Sequence, residues 1–314
     1  MRDQIVVFGY GVVGEAVTHA LIKHGRAVRV VQRTLPVNLC AGASFQPCDV
    51  LDAEAVARAV DGADQIVMAI GFPYHRAVWQ AAWPRAMHNL IAACERFGTR
   101  MVFVDNLYMY GPQTTPLRED MPLTTQAHKP AIRAEVTRIW MAAQAAGRVK
   151  VAALRASDFY GIGCGELSQF GDRGFGALAK GAAATLIVPP DLPHDVTYIP
   201  DIARAVATLL DAPDDAFGHA WHVPNAPIRT PRDILAMGAK ALNVALKIKA
   251  LPLWMLPMLG VFMPVMREVA DIRHQIDRAY HVDTQKFGGR FWSNATPFEV
   301  GVRDVALSYA GLPG

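Results

Sequence analysis

Short apolar runs recur along the first two-thirds of the chain, separated by longer stretches in which apolar positions return every third or fourth residue. The runs Ile5–Phe8, Ala27–Val31, Gln65–Ala69, Met101–Asp105 and Val149–Arg155 are apolar nearly throughout, as strands covered on both faces must be. The intervening stretches Val12–His24, Ala53–Val60, Ala77–Phe97 and Ala131–Ala146 are each long enough for a crossover helix. Gly25, Gly98 and Gly147 stand where those helices should stop, and glycine adopts a left-handed cap without strain. Strands alternating with helices predict an α/β fold, a doubly wound parallel sheet with right-handed crossovers.

After about residue 165 the rhythm changes. Glycines and prolines thicken through Gly171–Pro193, a strand and helix follow around Val196–Leu210, and helical stretches read at Pro231–Leu242 and Pro264–Tyr280. The expected division is a sheet domain over residues 1–165 and 196–222, with a smaller cap from 166–195 and 223–314. Ala250–Met266 is apolar throughout but short for a membrane span and interrupted by Pro252, Pro257 and Pro264. It reads as a broken, buried wall of a pocket rather than a transmembrane helix.

Composition narrows the function classes. Hydrophobic residues are 52% and charged residues 19% of the 314, enough to bury a large core and too apolar for disorder. A net charge of +3 provides no basic stripe for nucleic acid. Ile5–Phe8 meets glycine too soon to read as a secretory signal. Cys40, Cys48, Cys94 and Cys164 are far apart, and the ten histidines form no ligand spacing, so no metal site is expected. Reduced thiols point to a cytoplasmic setting.

Gly9-Tyr10-Gly11-Val12-Val13-Gly14 follows the first strand and opens the first helix. Gly9 permits the tight turn, Gly11 lets a pyrophosphate approach the backbone, and Gly14 lets helix pack on strand. The helix start offers N–H groups and partial positive charge to phosphates, with Val12 and Val13 in its first turn. An NAD site wants an acid at the end of the second strand, where this chain has Gln32-Arg33-Thr34. Arg33 can clamp a 2′-phosphate bidentately and Gln32 and Thr34 can donate to it, so NADP(H) is expected in preference to NAD(H). The plainer reading of Arg33 is a solvated surface arginine. Asp49 and Val50, after a short third strand, fall where the adenine would sit, and Asp52 there reads equally as a helix cap. Ala69-Ile70-Gly71 ends the next strand with small residues against which a cofactor can lie.

With these pieces, the chain resembles an extended short-chain dehydrogenase/reductase of the NAD-dependent epimerase/dehydratase group, a Rossmann-type fold. The further segments that carry the resemblance are Val102–Gly111, Arg155–Gly161 and Tyr198–Ala205, together with Val282–Phe287 and Ala295–Phe298 near the end. Arg155-Ala156-Ser157-Asp158-Phe159-Tyr160-Gly161 is similar to the family's R-P-x-N-x-Y-G turn. The resemblance implies a nicotinamide cofactor, a small-molecule substrate and a homodimer.

The catalytic pattern departs from that family, whose serine or threonine works with a tyrosine and lysine spaced YxxxK. No YxxxK occurs in this chain, and the family's serine position falls on Asn106, with Asp105 before it. Matching the four-residue spacing puts Lys129 on the tyrosine and Arg133 on the lysine; matching Glu135 instead puts Ala127 and Ala131 there. On the first alignment, Arg133 holds the ribose hydroxyls and Lys129 is a candidate proton donor. Tyr108, near the end of the Met101–Asp105 strand, is a second donor candidate. Lys129 also reads as a solvated helix-start lysine, and Tyr108 as a packed aromatic. Asp158 replaces an asparagine that donates to a nucleotide-sugar diphosphate in the family, and a carboxylate would repel that group. With Asp105, His75 and Trp254 as further candidate contacts, the substrate is expected to be small and partly apolar. Trp79 and Trp83 read either as cleft lining or as helix packing. Three functions follow: an NADP(H)-dependent oxidoreductase on a carbonyl or alcohol, a nucleotide-sugar epimerase or dehydratase, or a cofactor-binding sensor without catalysis.

Overall fold

The computed structural model describes residues 4–252 and 271–311. The chain divides into two units. One runs to Tyr110 and adds Pro122–Ala156 and Ile202–Trp221; the other comprises Gly111–Met121, Ser157–Asp201 and the chain from His222 onward.

The first unit is built on β1 (Gln4–Phe8), β2 (Ala27–Gln32), β3 (Ala43–Pro47), β4 (Gln65–Met68), β5 (Arg100–Asp105) and β6 (Lys150–Arg155). These pair in parallel, with Ile5 opposite both Val28 and Gln65. A seventh strand, Ala220–His222, closes the sheet in the order Ala220–His222, β6, β5, β4, β1, β2, β3. Ile5, Val6 and Val7 are all fully buried, so both faces of β1 are covered, and this is why the central strands carry no alternation. The covering helices include α1 (Val12–Lys23), α2 (Ala53–Val60), α3 (Arg76–Phe97) and α4 (His128–Ala145). Trp83, Met87 and Leu90 of α3 and Trp140 of α4 fill the core against Met68, Met101 and Phe103.

The predicted strands and crossover helices are present, with one informative displacement. Helix α4 starts at His128 rather than Ala131, because Pro130 falls in the first turn, where a missing N–H leaves no intrahelical bond unmade. Ala127 just before it has φ +59° and ψ 170°, a region that L-residues rarely occupy and that costs about 1–3 kcal/mol.

In the second unit, β7 (Asp158–Tyr160) pairs in parallel with β9 (Val196–Tyr198), and β8 (Ala184–Leu186) with Ile248–Ala250. Phe170, Phe175, Leu235, Phe298 and Val302 form its core. The second unit begins earlier than the expected boundary at 166 because β7 pairs with β9 rather than with the large sheet. Gly111–Met121 also belongs to it, through a bridge from Leu117 to Val282. Pro231–Ala241 is helical as predicted, its start closed by a Thr230–Asp233 capping box. The helix predicted over Pro264–Tyr280 falls partly outside the described residues, and its described part contains only the short turn Arg273–Gln275. Most of the apolar segment up to Met266 also lies outside them. Among the described residues no helix is long and apolar enough to cross a membrane.

Candidate functional site

The carboxyl ends of β1, β4 and β5 lie side by side, and the turn after β1 is shaped by backbone crowding. Gly9 has φ +96°, and a Cβ there would lie 2.7 Å from the Ala69 carbonyl oxygen. A Cβ on Gly14 would lie 2.1 Å from the Gly9 oxygen. At Gly11 there is nothing within 4 Å, so the turn is closed on the protein side and open on the other. Gly11 is also the N-cap of α1, and no side chain caps that helix. The first-turn N–H groups, those of Val12 and Val13 among them, therefore receive no side-chain cap, which fits the diphosphate of a dinucleotide.

At the end of β2, Gln32 braces two stretches of backbone. Its Oε1 accepts from the Tyr10 N–H at 3.1 Å and its Nε2 donates to the Thr34 carbonyl at 2.8 Å, tying the glycine turn to the loop after β2. Arg33 and Thr34 are exposed. Asp49 is exposed and accepts from the Leu51 N–H at 2.9 Å, while Val50 is buried. Asp52 takes the cap role, accepting from the N–H groups of Glu54 and Ala55. Ala69 and Ile70 are half-buried, and Gly71 is exposed with open space where a Cβ would be.

The second corner is made of side chains. Asp105, expected to face the substrate, is instead buried between two arginines: Arg133 Nη2 donates to its Oδ1, and Arg155 Nε lies 3.7 Å from its Oδ2. Arg155 donates to the Tyr110 hydroxyl and, at 3.3 Å, to Thr137 Oγ1, which donates to the Arg133 carbonyl at 3.0 Å. This closed circuit pins α4 to the ends of β5 and β6. The Arg133 guanidinium lies 3.9 Å from the centre of the Trp83 ring, and its Nε and Nη1 have no hydrogen-bond partner among the described residues. One turn earlier, Lys129 is fully buried, its ammonium 4.0 Å from the centre of the Tyr74 ring and 5.8 Å from that of Trp79. The expected proton donor thus faces aromatic rings rather than solvent, because Tyr74 covers it. Trp79 meets Tyr74 edge-on at 5.3 Å and stacks on Tyr108 at 6.2 Å, so the tryptophan takes its packing role. Asn106 spends its Oδ1 on the Tyr108 N–H at 3.1 Å.

His75 is exposed at the start of α3, where it caps no N–H with its side chain. Trp254 lies outside the described residues. Asp158, in the second unit, is 40% exposed and bonds at 2.9 Å to the buried His194. Next to that histidine, Asp195 is held by the Val282 N–H and by His281 at 2.7 Å, while burial pushes its carboxyl above the ordinary range. Among the described residues no group of three or more His, Cys, Asp or Glu is arranged to hold a metal ion. Sequence reading misses Tyr74, which follows no motif and reaches Lys129 only through the fold.

The model of the NAD dependent epimerase/dehydratase family matches residues 5–223. The chain belongs to that family. It is an enzyme family, and its members' NAD-binding fold is the one described above. Among solved structures, the NAD complex of UDP-glucose 4-epimerase from Thermus thermophilus is 19% identical with a TM-score of 0.79, covering 98% of this chain and 99% of that one. A putative epimerase from Burkholderia cenocepacia is 18% identical with a TM-score of 0.79 and covers 98% of each chain. dTDP-glucose 4,6-dehydratase from Bacillus anthracis, also with NAD, is 15% identical at a TM-score of 0.79, covering 98% and 96%. No curated protein matches the chain. Within the family, this member carries no YxxxK.

Proposed function

We propose that the protein is an NADP(H)-dependent oxidoreductase acting on a carbonyl or alcohol of a small, partly apolar molecule. The observation that carries this reading is the pairing of an open, uncapped glycine turn with Arg33, and no acid, at the end of β2. Gly9, Gly11, Val12, Val13 and Gly14 would hold the diphosphate. Arg33 and the Thr34 hydroxyl would hold the 2′-phosphate, with Gln32 bracing their loop. Asp49 and Val50 would border the adenine, and Ala69, Ile70 and Gly71 would lie along the cofactor. Among the described residues Arg133 Nε and Nη1 have no hydrogen-bond partner, and their N–H groups would suit ribose hydroxyls. When bound, the cofactor supplies the hydride or takes it up. Lys129 contributes fixed positive charge where negative charge grows on a substrate oxygen.

Family membership favours a second reading, a nucleotide-sugar epimerase or dehydratase, in which the cofactor is restored each cycle. Against it stands Asp158, a half-exposed carboxylate that repels a diphosphate. Homodimerisation and a cytoplasmic setting belong to the same proposal; all four cysteines are free thiols.

Titration calorimetry with NADPH and NADH tests the cofactor assignment. NADPH should bind more tightly, and Arg33→Ala should remove about 1.5–3 kcal/mol from NADPH alone, the worth of hydrogen bonds to a charged group. Equal affinities in the wild type would overturn it. Net consumption of NADPH with a carbonyl substrate then separates an oxidoreductase from an epimerase, and from a sensor.

A further inference from the structure

We propose that Cys40 is a reversible thiol-modification site, served by His19 as its base, through which small disulfides release the loop after β2 and so weaken cofactor binding. The effect on the cofactor rests on the NADP(H) reading above; the modification itself does not. Cys48, Cys94 and Cys164 are buried, while Cys40, on the loop between β2 and β3, is partly exposed. Its Sγ lies 3.2 Å from Nδ1 of His19, on α1, and 3.5 Å from the Ala41 carbonyl oxygen. Glu15, one turn earlier on α1, stands 3.9 Å from Nε2 on the other side of the imidazole. Thiol, imidazole and carboxylate thus follow one another as a nucleophile, its base and the counter-charge of that base. The His19 and Glu15 side chains are 55% and 43% exposed, so neither is there to fill the core.

The same cysteine closes a latch. Tyr10, inside the glycine turn, donates its hydroxyl to the Asn38 carbonyl at 3.3 Å and accepts from the Cys40 N–H at 2.9 Å; its own N–H goes to Gln32. Leu35 and Val37 stand exposed, so these bonds, rather than apolar packing, hold the loop that carries Arg33 and Thr34. Burial and the Glu15 carboxylate hold the Cys40 thiol above its usual range, so the thiolate forms by passing its proton to His19. With glutathione disulfide as oxidant, the S–H proton moves to His19 Nδ1 and the Cys40 sulfur attacks one sulfur of the disulfide. The S–S bond of the oxidant breaks as the new one forms, and the departing glutathione thiolate takes the proton from His19. Cys40 is thereby oxidised to a mixed disulfide and one glutathione is reduced. The 3.2 Å between sulfur and imidazole leaves no room for a second sulfur, so Cys40 must turn from α1 and its N–H must leave Tyr10.

Mass spectrometry of the full chain incubated with glutathione disulfide reads the site directly. One glutathione per chain should appear, on the peptide that contains Cys40, and dithiothreitol should remove it. Cys40→Ser should take up none, and His19→Ala should react at least about tenfold more slowly, because the rate follows the thiolate fraction. Uptake at Cys48, Cys94 or Cys164 instead, or an unchanged rate in His19→Ala, would overturn the assignment. Amide hydrogen exchange over residues 33–41 should quicken in the modified protein, and Tyr10→Phe should imitate it with no disulfide added. Exchange as slow as in the reduced protein would overturn the latch. In a second arm, calorimetry should give NADPH a Kd at least about tenfold higher for the modified protein, with Cys40→Ser unaffected by the same disulfide. Equal affinities would overturn the control of cofactor binding. Failure of the reduced wild type to bind NADPH would sink the functional reading alone, because labelling and exchange need no cofactor.

Discussion

The glycine turn and the start of α4 are two corners of one sheet end, built from opposite materials. At the turn the shape is backbone: Gly9 and Gly14 have no room for a methyl group, and Gly11 faces open space. At α4 the shape is side chain: Asp105, Arg133, Arg155, Thr137 and Tyr110 bond one another in a buried circuit, and Lys129 lies under Tyr74. The first corner keeps its ligand-facing side clear, and the second fills its interior with charge. A backbone corner tolerates few residues at its fixed positions and binds with whatever N–H groups remain. A side-chain corner tolerates replacement, provided every partner changes with it. The absence of YxxxK from this chain is therefore compatible with an intact fold, whereas any side chain at Gly14 must crowd the turn.

The largest effect should come from breaking the side-chain corner at its only carboxylate. Asp105→Asn leaves the charges of Arg133 and Arg155 buried without a counter-ion. Removing one partner of a buried pair costs about 3–5 kcal/mol, seen as a lower urea midpoint and a lower Tm. The triple variant Asp105→Leu, Arg133→Met and Arg155→Met should recover much of that loss, because none of the three buried charges then remains. If the single variant is as stable as wild type, the circuit does not hold α4 and the contrast between the corners collapses.

The difference in material also explains what is legible without the fold. Central strands read clearly because β1, β4 and β5 are buried on both faces, and the glycine turn reads clearly because close approach admits one residue type. Asp52 looks like a cap and is one. Gln32 is legible as a position but not as a role: a carboxamide can serve a phosphate or two backbone groups, and only the path of the chain after β2 decides. Asp105 and Arg133 read as separate site residues, yet they pair with each other across 28 positions, which no local pattern encodes. Tyr74 is invisible for the same reason. Its partner lies on another element, and a tyrosine in an irregular loop carries no periodic signal.

A smaller effect should follow from crowding the backbone corner. In Gly14→Ala the new methyl meets the Gly9 carbonyl, a backbone atom that cannot swing away. Overpacking of this kind costs about 1–3 kcal/mol, and chemical denaturation should show it without any ligand present. A stable Gly14→Ala protein would mean that α1 can shift from β1, and that the turn is looser than its geometry.

Gly11→Ala should change the fold least and the chemistry most selectively. Its φ of −77° and ψ of −175° suit any residue, and a Cβ there meets no atom within 4 Å. The only structural cost is that of alanine at an N-cap, at most about 1 kcal/mol, so the urea midpoint should barely move. The methyl would nonetheless stand on the open side of the turn, where the diphosphate must approach the first-turn N–H groups. Calorimetry should therefore show NADPH affinity falling at least about tenfold, or about 1.4 kcal/mol, in a protein of nearly wild-type stability. Gly14→Ala cannot make this separation, since it damages turn and ligand site together. Unchanged NADPH affinity in Gly11→Ala would show that the dinucleotide does not cross this turn, and the open face would then lose the meaning given to it. A fall in affinity with the fold intact would make Gly11 the point where the backbone corner stops serving the sheet and starts serving the cofactor.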